Sequence, residues 1–458
     1  MRETPPASLE HTLSHACVVL SAAKLPATTR RAAEQVILDW LGCTLLGSEA
    51  PPANVIAATH AAELHSGPAT CFVGPTTCAA GLAALISGTA AHTAELDDIY
   101  SPALYHPGVC VIPAALAACQ LAGANGDTFV RSVVAGYEIS NRIGVAINPV
   151  HYDYWHTTGT VGTFGAAIAS SVALRLSVQQ VEWALGHAAS MAAGLQQAFR
   201  SNGMTKPLHA GRAAEGGLLA ARLAGSGFTG SDSMLSGPVG FVKAMSHGRD
   251  IRPAFADLLD RWTIERTTFK QYSACGHIFA AIDAVLDLVA AEKPTIDALQ
   301  RIEIATYAKA LDVAGIHHPS SAFEAKFSIP FCVAAAVLGH DLSNPANFER
   351  LHNEPQVHTL IDRVEVRADP EISSAFPGLR GARAALQFAD GRQQSHFVAT
   401  RKGDPDNPLS SGELEAKFRR LVAATRHRGR ETALIEWVRG LSKHASLSPP
   451  LLPLVDPR

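Results

Sequence analysis

The chain has 458 residues, of which 47% are hydrophobic and only 17% charged, with a formal net charge of -3. That length exceeds one ordinary core and predicts two domains, and the scarcity of charge predicts large buried helical surfaces, some of them between subunits. The same numbers exclude a basic nucleic-acid footprint, and no run approaches the roughly 18 apolar residues of a membrane span.

Met1–Glu10 carries Pro5, Pro6 and two glutamates in place of the basic start and apolar run of a signal peptide, so a cytoplasmic location is expected. Residues 30–46 read as an amphipathic helix, with Ala33, Val36, Ile37, Trp40 and Leu41 on one face. Small-residue helices are expected at 79–94, 109–123, 128–144, 158–176, 179–198 and 208–225, joined by loops rich in Gly, Pro and Asn. After Trp262 the texture changes. A helix at 276–291 precedes candidate strands at 301–307, 363–368, 384–388 and 395–400, with a further helix at 324–338 among them. Asp390-Gly391 marks a hairpin. Beyond Pro405 and Pro408 helices return, and the basic stretch at 426–430 reads as a solvated helix end or loop. The expected fold is mainly α: a large all-helical domain over 1–265, completed by 405–445, a smaller α+β lid domain over 266–404, and an irregular tail over 446–458.

Four segments carry candidate chemistry. In the first, Glu95, Asp97 and Asp98 precede His106-Pro107-Gly108, where Pro107 suits a helix start. The second is Tyr154-Trp155-His156-Thr157-Thr158-Gly159, in which either threonine can cap the following helix. Gly159, Gly162 and Gly165 do not match a dinucleotide loop and read as close helix packing. The third places Lys206 before Pro207 at another helix start. The fourth, Lys270 to His277, includes Cys275 just before a helix. Helix starts attract anions, so four of them, each with a basic side chain, would make a pocket for several carboxylates if they converge.

None of the eight cysteines shows C-x-x-C spacing, and most sit in apolar runs as reduced core residues. His11 and His15 form an H-x-x-x-H pair far from the four segments, and the zincin motif is absent. No metal and no cofactor are expected.

The four segments, quoted as AELDDIYSPALYHPG, YWHTTGTVGTFGAA, MTKPLHAGRAA and FKQYSACGH, together with EAKFSIPF, resemble the MmgE/PrpD family. That family includes 2-methylcitrate dehydratase, cis-aconitate decarboxylase and iminodisuccinate epimerase. The resemblance implies a helical main domain with an α+β lid, activity without metal or organic cofactor, and a homodimer. It also implies that His106, His156, Lys206 and Lys270 belong to the active site. Departures are present. Glu95 stands where cis-aconitate decarboxylases carry aspartate, Ile99 where they carry threonine, and Cys275 where the lid motif has histidine. The tyrosine that the decarboxylases place before the EAKFS-like segment has no counterpart; Val313 lies near that position. These departures speak against cis-aconitate decarboxylation.

The expected activity is therefore a cofactor-independent lyase, foremost a dehydratase, acting on a small di- or tricarboxylate by proton abstraction beside a carboxylate. An epimerase or isomerase, a decarboxylase, and a non-catalytic polycarboxylate binder are the alternatives. His106, His156, Lys206 and Lys270 are the expected catalytic residues. Glu95, Asp97, Asp98, Tyr154, Cys275 and His277 are the expected binding residues. Neither nucleic acid nor membrane is an expected partner.

Overall fold

The computed structural model describes residues 8–74, 76–200 and 203–447. Expectations for residues 1–7 and for the tail beyond 447 fall outside that range. The chain divides into two units: one runs to Thr267 and resumes at Ser411, the other is Thr268–Ser410.

The first unit is built on helices α1 (Leu9–Ala22), α2 (Ala27–Gly47), α3 (Pro51–Thr59), α4 (Ala80–Thr93), α5 (Gly108–Ala122), α6 (Gly126–Ile147), α7 (Thr157–Ala173), α8 (Val178–Met191) and α9 (Thr205–Gly225). Small residues let α4, α5, α7 and α9 approach one another closely. A Cβ on Gly88 would stand 2.8 Å from the Val109 carbonyl oxygen and 2.9 Å from Gly211 Cα. One on Gly162 would stand 2.5 Å from Cys110 Sγ. No side chain fits there, so these glycines set the helix spacing, and the glycines of α7 are packing positions.

The chain returns to this unit through helices Ser411–Ala423 and Glu431–Arg439. The first lays Phe418 against Gly42 of α2 and buries Lys417, whose Nζ donates to Asp39 Oδ1 at 2.5 Å and to the Leu96 carbonyl at 2.7 Å. That contact ties a C-terminal helix to the loop after α4.

Two local differences from the sequence reading have physical causes. An antiparallel hairpin, β1 (Leu64–Cys71) and β2 (Thr76–Cys78), interrupts the helical unit. Its outer half, residues 65–68, is exposed and lacks apolar alternation, so no period of two was visible. The helix expected over 179–198 ends at Met191. Gly194, at φ +140°, turns the chain into a segment that crosses the start of α7.

The second unit holds a four-stranded sheet of order β4-β3-β5-β6, from β3 (Leu299–Thr306), β4 (Val364–Ala368), β5 (Ala382–Phe388) and β6 (Gln393–Val398). β3 and β4 run parallel; β5 runs antiparallel to β3 and to β6. Gly391, at φ +86°, makes the β5–β6 turn, and Asp390 Oδ1 accepts from Arg392 N at 3.0 Å. Helix Phe279–Glu292 packs Phe279, Ile282 and Val285 into a core with Ile302, Ile304 and Leu386. The helix expected over 324–338 is split into Ala322–Ala325 and Ile329–Val337. Ser328 Oγ caps the second piece by accepting from Phe331 N at 3.1 Å, and Pro330 sits in its first turn, where its missing N–H costs nothing.

Candidate active site

The site is assembled from the ends of α4, α5, α7 and α9. Where α4 ends, Glu95 adopts φ +58°, a left-handed conformation that costs a non-glycine residue about 1 kcal/mol or more. The reversal sends the Glu95 carboxylate to Lys206, with which it forms an ion pair, and turns Asp97 back toward the last turn of α4. There Asp97 Oδ2 lies 2.8 Å from Nδ1 of His92 and 2.8 Å from Nδ1 of His106. One buried oxygen thus serves two imidazoles. Burial alone would raise the Asp97 carboxyl, but the charges and hydrogen bonds of His92 and His106 outweigh it and hold the group well below the usual carboxylate range.

Asp98 points elsewhere. Its oxygens accept from Gly108 N at 3.1 Å and from Tyr137 Oη at 2.8 Å, which fixes the HPG turn at the start of α5. Burial and the charges of Asp39 and Asp97 push its carboxyl well above the usual range. Asp98 braces this loop, with its oxygens engaged by Gly108 N and Tyr137 Oη.

His156 is itself the cap residue of α7, and neither Thr157 nor Thr158 caps the helix with its side chain, contrary to expectation. Thr158 Oγ1 instead accepts from His106 N at 3.3 Å. The His156 ring stacks on His92 at 5.6 Å, takes the edge of Phe199 at 4.7 Å, and places Nδ1 3.1 Å from Nδ1 of His209. It is 2% exposed. Burial drives His156 well below the usual imidazole range, and the charges of His92, Lys206, His209 and His106 add to the shift. Burial, with His92 and Lys206, lowers His209 to about 4.

Lys206 lies in the first turn of α9 rather than before it, since the helix begins at Thr205. The lysine is 8% exposed, and its Nζ stands 5.2 Å from the Phe199 ring centroid. His106, His156, Lys206, Glu95 and Asp97 are therefore brought together. The Tyr154 side chain is not: the residue is 68% exposed and is held by its backbone, which donates to the His151 carbonyl at 3.4 Å and accepts from Gln196 N at 2.9 Å.

Lys270, Cys275 and His277 belong to the second unit. Lys270 is buried there. Cys275 N donates to the Lys326 carbonyl at 2.8 Å, and the helix starts only at Phe279, so the thiol is not at a helix N-terminus as expected. His277 Nδ1 is 2.6 Å from Tyr307 Oη, and burial, aided by nearby arginines and a lysine, lowers its imidazole well below the usual range.

Sequence reasoning missed His92, His209 and Phe199. His209 had a signal, since it follows Lys206 by three residues and so shares its helix face. His92 and Phe199 had none, because each reaches the site from a different segment. Missing His92 also hid a ligand set: His92, Asp97 and His106 each present one ligand atom within 4.8 Å of one another. The two 2.8 Å contacts to a single oxygen are tighter than the edge of about 3.4 Å between ligands that each sit about 2.1 Å from a tetrahedral ion, and suit a hydrogen bond from His92 and a close ion-pair contact with His106.

Comparison with known proteins agrees across nearly the whole chain. Residues 11–254 match the MmgE/PrpD N-terminal domain and residues 272–442 the MmgE/PrpD C-terminal domain. The cis-aconitate decarboxylase of Aspergillus terreus is 26% identical over 459 residues, covering 94% of this chain and 92% of that protein. The human cis-aconitate decarboxylase is 27% identical over 84% of this chain and 82% of its own. A cis-aconitate decarboxylase-like protein, oryM of Aspergillus oryzae, is 27% identical over 92% of each.

Proposed function

The chain belongs to the MmgE/PrpD family, and on that premise we propose that it is a lyase acting on a small di- or tricarboxylate through a carbanion formed beside a carboxylate. The observation that carries this reading is the juxtaposition of Asp97, shared by His92 and His106, with the buried Lys206 and a second, differently wired imidazole, His156.

A carbon proton beside a carboxylate is weakly acidic because its loss adds charge to an anionic group. Lys206 supplies the compensating positive charge at the start of α9. His106, with Nδ1 2.8 Å from the Asp97 carboxylate, presents Nε2 as the base, and the carboxylate stabilises the imidazolium that forms. His156 is the proton donor to the departing hydroxyl. The buried His92 Nε2 has no hydrogen-bond partner among the described residues, and a substrate oxygen would relieve that cost. Lys270, Cys275 and His277 enter this proposal from the family motif, as second lysine and binding residues. The reaction as proposed needs no metal and no organic cofactor.

Two proton-handling imidazoles favour loss of water, which needs both removal and delivery of a proton. Loss of carbon dioxide is the second reading, favoured by the decarboxylase names of the relatives. Incubating the protein in deuterated water with citrate-type hydroxy-tricarboxylates and with cis-aconitate, followed by NMR, tests both. An unsaturated acid formed from a hydroxy acid supports the dehydratase. Release of carbon dioxide from cis-aconitate replaces it with the decarboxylase. Deuterium exchange or epimerisation without loss of a group overturns the lyase in favour of an isomerase.

A further inference from the structure

His156 is sealed from solvent, yet a group that delivers a proton in each turnover must be reprotonated. His92 stacks on its ring at 5.6 Å, and Phe199 packs against it edge-to-face at 4.7 Å. Its Nδ1 meets Nδ1 of His209 at 3.1 Å, a separation at which exactly one of the two nitrogens carries the hydrogen. His209 is only half-buried and lines a pocket of about 540 Å³, whose rim includes the exposed Leu195 and Arg212. Two glycines shape the passage for its ring. A Cβ on Gly159 would come 3.2 Å from His209 Cβ, and one on Gly194 3.3 Å from His209 Cγ and Nδ1. At Gly159 the nearer obstacle is the Ala193 carbonyl oxygen, 2.4 Å from that Cβ, while at Gly194 it is the imidazole itself.

We propose that His209 is a proton relay that connects the buried His156 with water in this pocket. The inference rests on the reading of His156 as proton donor. Nε2–H of His156 passes to the leaving oxygen. Nδ1–H of His209 passes to Nδ1 of His156, and a proton from pocket water arrives on Nε2 of His209. Both rings are neutral before and after, and one proton has entered from solvent for the one delivered. Between turnovers the same transfers run outward: the proton that His106 took from carbon reaches Nε2 of His156 through the emptied site, Nδ1–H of His156 returns to Nδ1 of His209, and Nε2–H of His209 leaves to the pocket, which restores both starting tautomers and a neutral His106. Low basicity of both rings suits this role, because neither traps the proton as a stable imidazolium.

His209 acts through His156, so the test separates relay from mere support. NMR of 15N-histidine-labelled protein reads the pair whether or not a substrate is known. One ring of the two should be the Nδ1–H tautomer and the other the Nε2–H tautomer; two Nε2–H rings would show that no proton is shared and overturn the relay. In turnover, His209→Gln keeps the bulk but cannot pass a proton, and kcat should fall at least about tenfold with KM nearly unchanged. His209→Ala should fall similarly and recover with added imidazole, which the vacated pocket can admit. Normal kcat in His209→Gln, or a loss in His209→Ala that imidazole does not restore, rejects the relay. Turnover by the unaltered protein is measured first, so failure of the proposed reaction is distinguished from failure of the relay.

Discussion

One carboxylate oxygen is shared by two imidazoles: Asp97 Oδ2 is hydrogen-bonded to His92 Nδ1 and lies 2.8 Å from Nδ1 of His106. Asp97→Asn removes the charge that stabilises an imidazolium on His106, so kcat should fall about a hundredfold or more while KM changes little, in steady-state assays. Lys206→Met should cost at least about a hundredfold, as loss of one electrostatic stabiliser does, and His106→Gln and His156→Gln a similar factor. Near-normal turnover in both histidine variants would remove them from the chemistry. The hydrogen-bonded reading of His92, Asp97 and His106 also predicts that activity survives exhaustive chelation. Loss of activity that a single divalent ion restores would make the same three groups a metal site instead.

At the scale of elements, the unusual feature is how far the loop after α4 depends on a distant helix. Lys417, in the helix Ser411–Ala423, pairs with Asp39 of α2 and donates to the Leu96 carbonyl, between Glu95 and Asp97. Both charged groups are buried. Removing one partner of such a pair leaves an uncompensated buried charge, so Lys417→Met should lower stability by about 3–5 kcal/mol in chemical denaturation. Because the same amine fixes Leu96, activity should fall even under conditions where the variant is folded. Exchange of Lys417 for Met with stability unchanged would mean that the loop is held by its other contacts.

For the whole molecule, the buried histidines set the response to acid. Burial lowers His151, His209 and His427 each to about 4, and holds His156 and His277 well below the usual imidazole range. The unfolded chain binds those protons near the ordinary imidazole value of about 6.5. Their contribution to stability is therefore complete above about pH 6.5 and is lost as pH falls toward 4. Asp283, raised to about 6 by burial, and Asp98, raised well above the usual range, work in the opposite sense, since their protonation on acidification favours the folded state. The five histidines outnumber these two acids, so the melting temperature should drop between pH 7.5 and 5. A melting temperature that holds or rises over that range would contradict the burial of these rings.

The sequence by itself determined the family and the mainly α class, through motifs and periodicities that are local in the chain. It also picked out His106, His156 and Lys206, because proline-marked helix starts beside basic residues are visible within a few positions. Strand signals in residues 301–400 were legible for the same reason, as alternation and the Asp390-Gly391 turn are properties of neighbours. Only the tertiary structure decided which acids face the histidines. Asp97 and Asp98 are adjacent and chemically identical, yet one is turned to two imidazoles and the other to Tyr137 and Gly108. That choice depends on the left-handed turn at Glu95 and on Lys417, more than three hundred residues away in sequence. His92 and Phe199 escaped the sequence for the same physical reason, although His209 was marked by its place on the Lys206 face: side-chain contact is set by helix packing, which small residues permit but do not announce.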